Sequence, residues 1–284
     1  VMVQAIEKDY YVTMLLRLLA QKMPYIVFKG GTSLSKCHKV IRRFSEDIDI
    51  TIDTLLSQGQ KKKIKQAIVD SAQELGMTIE NLDETRSRRD YNRYVIAYDS
   101  VIPMASDALK AAVLLETSYT AVSFPTVLLP VHSYIGDMME QEAPDAIEEY
   151  NLNPFEMKVQ GIDRTLADKV FAICDYYLQG KVAKHSRHLY DIYKLLPLVP
   201  QDENFRELVK EVRAVRAQSV ICPSALPEAD VPELLEKIIR EKAYKQDYDS
   251  LTTQLLEENV PYDTVIAALK QIADGAMFDN TYGG

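Results

Sequence analysis

Apolar residues recur at two different spacings along the first half of the chain. Residues 4–22 and 59–76 carry them every three or four positions, which predicts two amphipathic helices. Shorter runs rich in β-branched and aromatic residues predict strands at residues 25–28, 77–82, 94–98 and 109–119. Residues 120–160 are rich in proline and acidic side chains, so we expect mostly loops there.

The second half of the chain has helical spacing throughout. Residues 166–177 place an apolar stripe on a helix that we expect to begin at Asp163, as its N-cap, and to end at Gly180. Further apolar stripes follow toward the C-terminus. The pattern predicts an α+β protein with a mixed β-sheet domain and flanking helices over residues 1–155, followed by an α-helical domain over residues 156–284.

A strict alternation of acidic and aliphatic residues follows Ser45. Asp47, Asp49 and Thr51 should point to one face of a strand, and the isoleucines between them to the other, where they need a core. Two aspartates side by side repel each other, and a divalent cation between them removes that penalty. Hard carboxylate oxygens suit Mg²⁺, or Mn²⁺. Alone, the Asp-x-Asp pattern also fits a solvated strand face or a turn.

A glycine pair ends the strand that precedes this alternation. Gly30 and Gly31 have no Cβ, so a ligand can come close to the backbone there. Thr32 and Ser33 are favourable N-cap residues for the next helix, whose first amides could bind a phosphate. The same pattern occurs in ordinary turns. Its position one strand before the two aspartates favours a combined metal and phosphate site.

Three further groups of polar residues keep two interpretations each. Glu116 is the sole acid of an apolar strand, so it belongs either at a functional site or on a solvent-facing position. Arg42 and Arg43 are either solvated or in contact with a substrate. The arginines at 86, 88, 89 and 93 alternate with Tyr91 and Tyr94, which fits RNA binding as well as a twisted hairpin edge.

Composition restricts the classes of function. A hydrophobic content of 47% is ample for a core, and a net charge of −9 argues against a protein that binds nucleic acid over its whole surface, although it permits a local basic groove. The three cysteines are widely spaced, which favours a reducing, cytoplasmic location. No apolar run has the length of a membrane span, and no signal peptide is recognisable, so we expect no membrane partner.

Four segments resemble one known family. The Gly-Gly-Thr-Ser-Leu-Ser-Lys run at residues 30–36 and the Arg-Phe-Ser-Glu-Asp-Ile-Asp run at 43–49 resemble the active-site signature of the nucleotidyltransferase superfamily, in the form found in the AbiEii/AbiGii toxins. The Arg-Thr-Leu-Ala-Asp-Lys run at 164–169 and the Arg-His-Leu-Tyr-Asp run at 187–191 are similar to that family's helical motifs. These toxins belong to abortive-infection and toxin–antitoxin systems.

The resemblance implies a set of site residues. Metal would be held by Asp47, Asp49 and Glu116, the last as the third carboxylate on a neighbouring strand. Lys169 and Asp191 of the helical domain would contribute to the active-site cleft. Contacts to nucleotide phosphates would come from Gly30, Gly31, Thr32, Ser33 and Lys36.

The expected activity is Mg²⁺-dependent transfer of a nucleoside monophosphate from an NTP to an acceptor hydroxyl. The resemblance implies a toxin with a cognate antitoxin and favours RNA, especially a tRNA end, as acceptor. Two rivals stay open: a transferase of the same fold that acts on a small molecule or a protein, and a binding module that has lost catalysis.

Overall fold

Seven strands form one mixed β-sheet in the computed structural model, which describes residues 3–45, 47–102 and 110–279. The strands are β1 Ile26–Lys29, β2 Ile48–Ile52, β3 Thr78–Ile79, β4 Tyr91–Ala97, β5 Ala112–Val122, β6 Thr126–Val131 and β7 Phe155–Gln160. Their order across the sheet is β3-β4-β5-β2-β1-β7-β6. The β2–β5 and β1–β7 pairs are parallel, and the other neighbouring pairs are antiparallel.

Helices alternate with groups of strands along the first half of the chain and make up the second half. The helices are α1 Val3–Lys22, α2 Gly30–Lys36, α3 Gln58–Glu74, α4 Tyr134–Glu142, α5 Pro144–Glu149, α6 Ile162–Leu178, α7 Arg187–Leu195, α8 Glu203–Arg216, α9 Val231–Glu241, α10 Lys245–Asp247, α11 Thr253–Leu255 and α12 Tyr262–Ala273. The α+β fold class predicted from the hydrophobic pattern is confirmed. No helix of the described ranges is long and apolar enough to cross a membrane.

The described residues divide into two compact units. The first consists of those within Val1–Lys39 and Ser45–Gln160 and holds the whole sheet with α1–α5. The second consists of Val40–Phe44 and those within Gly161–Gly284, and holds α6–α12. The short segment that leads from α2 toward β2 therefore contacts residues more than a hundred positions away.

Each unit has its own apolar core, built from the stripes visible in the sequence. In the first, the isoleucines of β2 pack with Leu15 and Leu19 of α1 and with Ile64 and Ile68 of α3. In the second, α6 packs against α7, and both helices are anchored by fully buried aliphatic residues: Leu166, Val170, Ile173, Leu189 and Ile192. The helices predicted at residues 4–22 and 59–76 are confirmed within one or two residues of their ends.

The prediction that residues 120–160 are mostly loops is wrong, because this segment contains β6, α4, α5 and β7. Pro130 argued against a strand, since proline cannot donate a backbone hydrogen bond to a neighbour. It is tolerated because β6 is the outermost strand of the sheet and pairs on one side only, with Pro130 opposite Glu156.

Several predicted boundaries also need correction. The strand predicted at residues 77–82 is only the two-residue β3. The strand predicted from Leu109 is found from Ala112, and Leu109 itself lies outside the described residues. The N-cap of α6 is Gly161, and the Asp163 carboxylate accepts a hydrogen bond from the Arg164 amide at 2.7 Å inside the first turn.

Candidate active site

Four charged residues stand in one row across the centre of the sheet. Lys29 of β1 is the register partner of Asp49 of β2, Asp49 is the partner of Glu116 of β5, and Glu116 is the partner of Arg93 of β4. Directly opposite residues on neighbouring strands project to the same face of a sheet. The side chains of this charged row therefore share one face, with the two carboxylates at its centre and a cation at each end.

The two aspartates show the alternation predicted from the sequence. Asp47 and Asp49 are half-buried, whereas Ile48 and Ile50 are completely or almost completely buried. β2 begins at Ile48, so Asp47 stands one residue before the strand. The sequence had suggested that Asp47 lies within it. Thr51, expected on the same face as the aspartates, is buried.

The glycine pair and Asp49 are brought together by the turn from β1 into α2. Gly30 has φ +80°, which only glycine adopts at low cost, and a Cβ at this position would lie 2.0 Å from Asp49 Oδ2. The start of α2 is thus packed directly against the carboxylate. A side chain at Gly30 would occupy the position of the Asp49 carboxylate. The glycine turn and the aspartate motif predicted from the sequence are therefore in direct contact.

The start of α2 differs from the predicted one. The N-cap position is Lys29, and no side chain caps the helix, so Thr32 and Ser33 are not its N-cap residues. Both are buried inside the turn: Thr32 Oγ1 is 2.9 Å from Ser45 Oγ, and Ser33 Oγ donates to the Gly30 carbonyl at 2.9 Å. These bonds fix the short turn, while the first backbone amides of α2 have no side-chain acceptor at the cap.

Lys36, at the end of α2, has partners of its own. Its ammonium forms an ion pair with Asp9 of α1, and both side chains are almost fully buried. It also lies 5.6 Å from the centre of the Tyr134 ring, and the Tyr134 amide donates to Asp9 Oδ2 at 2.8 Å. The structure places the Lys36 side chain against α1 and the start of α4, and a contact of Lys36 with phosphate stays a prediction.

Glu116 shows features of a solvent-facing residue and also of a residue at a functional site, the two interpretations that its sequence position left open. Its side chain is 35% exposed, and Arg93 Nε lies 3.7 Å from Glu116 Oε1. Tyr91, on the same strand as Arg93, hydrogen-bonds Glu116; burial, followed by this carboxylate, raises the pKa of Tyr91 to about 12. Because Arg93 and Tyr91 contact its carboxylate, Glu116 avoids the free-energy cost of an isolated buried charge.

The three carboxylates match the donor set of a hard divalent cation. Asp49 and Glu116 are adjacent by register, Asp47 is two residues from Asp49, and all three are half-buried. Mg²⁺ and Mn²⁺ prefer such oxygen ligands, together with water and phosphate oxygens. The missing Cβ of Gly30 makes room for the Asp49 carboxylate itself, because a Cβ there would lie 2.0 Å from Asp49 Oδ2. The donor chemistry of these residues suits the metal that the resemblance implied, and metal binding by them stays a prediction.

A second charged cluster lies inside the helical unit. Lys169 of α6 donates to Asp191 Oδ2 of α7 at 2.6 Å, and Arg43 donates from Nε to Asp191 Oδ1 at 2.7 Å and from Nη2 to Asp191 Oδ2 at 2.8 Å. All three side chains are buried. The structure thus joins the two sequence-predicted residues Lys169 and Asp191 and adds Arg43 to them.

Arg43 is the functional candidate that sequence reasoning left undecided. It is 3% exposed, so the solvated alternative is wrong for this residue. Its partner Asp191 is 148 positions away, and no local pattern could indicate the pair. The available signal was its position beside the aspartate motif, which had suggested a substrate contact.

Two histidines complete the surroundings of this cluster. His188 Nδ1 is 3.4 Å from Lys169 Nζ, and burial, followed by the Lys169 charge, lowers the pKa of His188 well below its ordinary value. The His185 ring stacks on Tyr176 with centroids 3.5 Å apart, and burial lowers its pKa as well. Both rings are therefore neutral near pH 7.

Comparison with known proteins decides the family. Residues 14–270 match the family described as "Nucleotidyl transferase AbiEii toxin, Type IV TA system". The chain belongs to the AbiEii nucleotidyltransferase toxin family. The resemblance noted in the sequence is confirmed. Membership of this toxin–antitoxin family supports nucleotidyltransferase activity and implies an NTP substrate and a cognate antitoxin.

A solved structure supports the fold of this AbiEii-family chain. MenT4, a nucleotidyltransferase toxin from Mycobacterium tuberculosis H37Rv, is similar with a TM-score of 0.52 and 15% sequence identity, over 95% of this chain and 83% of that one. At this identity the likeness concerns the fold alone. A search of curated protein sequences finds no match.

Proposed function

We propose that this AbiEii-family chain transfers a nucleoside monophosphate from an NTP to a hydroxyl group of RNA, with a tRNA end as the favoured acceptor, and that a cognate antitoxin neutralises the resulting toxicity. The observation that carries the proposal is the pair of adjacent carboxylates, Asp49 and Glu116, of which Asp49 packs against the glycine turn at Gly30. Family membership supplies the reaction class.

Asp47, Asp49 and Glu116 would hold Mg²⁺ or Mn²⁺. When bound, such an ion neutralises charge on the triphosphate and makes an acceptor hydroxyl more acidic. The backbone amides at Gly31 and the residues after it would hold phosphate oxygens, because the helix start is uncapped and Gly30 admits a close approach. Ser33 fixes this turn through its bond to the Gly30 carbonyl.

We assign Lys169 to phosphate binding, as the family resemblance implies. Its ammonium is buried with one carboxylate and one guanidinium, so the cluster of Lys169, Arg43 and Asp191 carries one excess positive charge. An excess buried cation is favourable next to an anion such as a phosphate group.

An RNA acceptor is supported by the position of the basic residues near the charged row. Tyr91 and Arg93 are exposed on β4 beside Glu116, and the exposed residues Arg86, Arg88 and Arg89 precede them. In a chain with a net charge of −9, such a cluster is a local concentration of positive charge. Arginine next to an exposed aromatic ring can contact phosphates and stack on a base.

Incubation of the full chain with each labelled NTP, Mg²⁺ and either purified tRNA or total RNA tests this proposal. We expect label from at least one NTP to enter RNA, and none in the Asp49→Asn variant. Label in a protein or a small molecule would instead support the rival transferase of the same fold. NTP binding without transfer to any acceptor would contradict catalysis and favour a binding module.

Replacing Arg88 and Arg89 with serine tests the RNA-binding surface separately. We expect weaker tRNA binding and a salt dependence whose slope, log Kd against log salt concentration, falls by about 1.4 to 1.8 for two lost phosphate contacts. The matched control replaces Lys210 of α8 and Lys270 of α12, both exposed, with serine. Equal weakening in both double variants would show that net charge, and not this surface, governs binding.

A further inference from the structure

The segment of residues 40–44, called the strap below, is fixed to the helical unit by its backbone. The Phe44 amide donates to the Leu255 carbonyl at 2.9 Å, and the Glu257 amide donates to the Arg42 carbonyl at 3.0 Å. The Arg42 amide donates to the Tyr190 hydroxyl at 3.0 Å. The strap thus behaves as a short antiparallel strand against residues 255–257, with Arg43 opposite Leu256.

The side chain of Arg43 adds the strongest contact of the strap. Its Nε and Nη2 atoms donate to the two separate oxygens of Asp191, a bidentate geometry that fixes direction as well as distance. Nη1 donates to the Phe44 carbonyl at 3.1 Å within the strap itself. With Lys169 on Oδ2, both Asp191 oxygens accept charged donors.

This environment does not suit Asp191 for taking up a proton. A general base needs an accessible lone pair and a pKa near the working pH. Asp191 is completely buried; burial alone would raise its pKa, but the charges of Arg43 and Lys169 hold the pKa well below its ordinary value. The carboxylate therefore stays ionised and is a weak base throughout the pH range of an assay.

We propose that Asp191 is a positioning residue, which holds Arg43 and Lys169 in place and takes no proton in the reaction. Its role in catalysis rests on the proposed nucleotidyl transfer. The strap ends at Phe44, three residues before Asp47. A fixed strap gives the Arg43 guanidinium a defined position, and Lys169 keeps a defined ammonium position.

The pH profile of the Asp191→Asn variant separates positioning from proton transfer. The groups that face Lys169 are Asp191, Arg43, Arg187 and His188, and burial together with the two arginines lowers the pKa of Lys169 while Asp191 opposes this effect. Loss of the Asp191 charge must lower that pKa further, so the protonated lysine is lost at a lower pH.

We therefore expect Asp191→Asn to show reduced kcat/KM for transfer from NTP to RNA. In the plot of kcat/KM against pH, we expect the alkaline limb to move to lower pH and the acid limb to stay unchanged. Disappearance of the acid limb, or an alkaline limb that does not move, would overturn the proposal. The matched control is Asp175→Asn, another buried carboxylate of the helical unit, bonded to Arg216 Nη2 at 2.7 Å and to the Ser224 amide at 2.8 Å. We expect it to leave both limbs in place.

Hydrogen exchange gives a second measurement that needs no activity. We expect the backbone amides of residues 40–44 and 255–257 to exchange faster in Asp191→Asn than in the parent, and not in Asp175→Asn. Unchanged exchange in the strap would overturn the anchoring role. If the parent transfers no nucleotide, the proposed function fails, and this experiment still decides whether Asp191 anchors the strap.

Arg43→Lys tests the same idea if Asp191→Asn does not fold. The lysine keeps the charge but cannot form the bidentate pair, because its ammonium is a single point of contact. We expect faster exchange in the strap and a reduced kcat/KM with both pH limbs retained. Exchange and kinetics identical to those of the parent would overturn the proposal.

Discussion

The Asp49→Asn variant is expected to lose nucleotidyl transfer by about 10²- to 10³-fold, the scale of a lost electrostatic contact to the transition state. Asparagine keeps the size and shape of the side chain and removes only its charge. Asp49 is one of the two central members of the charged row, opposite Glu116 on one side and Lys29 on the other. If the proposed metal assignment is right, the row without this charge loses affinity for a divalent cation.

The same substitution should hardly affect the fold. Carboxylates directly opposite each other on neighbouring strands destabilise a sheet, so removal of one offsets the loss of its other contacts. We expect the free energy of unfolding, measured by urea denaturation, to change by no more than about 1 kcal/mol. An activity lost together with the fold would not support the metal assignment.

Asp53→Asn is the matched control for this variant. Asp53 follows the other end of β2 and forms an ion pair with Lys158 of β7, away from the glycine turn. We expect it to retain transfer activity, measured with the same labelled NTP and RNA acceptor. An Asp49→Asn protein as active as Asp53→Asn would contradict the assignment of Asp49 to the metal.

Local sequence patterns predicted the parts of the fold whose contacts follow from periodicity. The alternation from Asp47 onward predicted the buried isoleucines of β2, because a strand has a period of two, but it did not predict that Thr51 on the other face is buried as well. Helix α1 begins within one residue of its predicted start, because its apolar residues recur every three or four positions. β6 was missed since Pro130 is acceptable only on an edge strand, and edge position is a property of the whole sheet.

The candidate site shows the same limit. The glycine turn and the aspartates are neighbours in sequence, so their proximity was predictable from two adjacent strands. The pairing of Asp49 with Glu116 depends on the parallel register of β2 and β5, which no short pattern specifies. Arg43 was left undecided because its environment is set by α6 and α7, far along the chain.

The second large effect is expected for Gly30→Ala. The new Cβ would stand 2.0 Å from Asp49 Oδ2 and 2.9 Å from Asp49 Cγ, so the carboxylate must move or the turn must open. Either change displaces Asp49 from the charged row by about an ångström, which typically costs about 100-fold in rate. We expect transfer to fall by at least that factor, with reduced stability as well.

Gly76→Ala is the control that isolates the clash. Gly76 also has a positive φ, +67°, but no atom of the described residues lies within 4 Å of the position that a Cβ would take there. Alanine at this position therefore meets only the backbone penalty, about 1 to 2 kcal/mol. Any loss in Gly30→Ala beyond that of Gly76→Ala comes from contact with Asp49. Equal stabilities, with full activity in both variants, would contradict the packing of the glycine turn against the carboxylate.

A double-mutant cycle makes this contact measurable. In an Asp49→Ala background the carboxylate atoms nearest to the new Cβ are absent, and only the Cβ of residue 49, 3.2 Å away, remains close. Gly30→Ala should then cost less free energy of unfolding than in the parent, because contacting residues are not additive. An identical cost in both backgrounds would mean that the destabilisation arises from the backbone at Gly30 alone, and the glycine would then serve the turn and not the space beside Asp49.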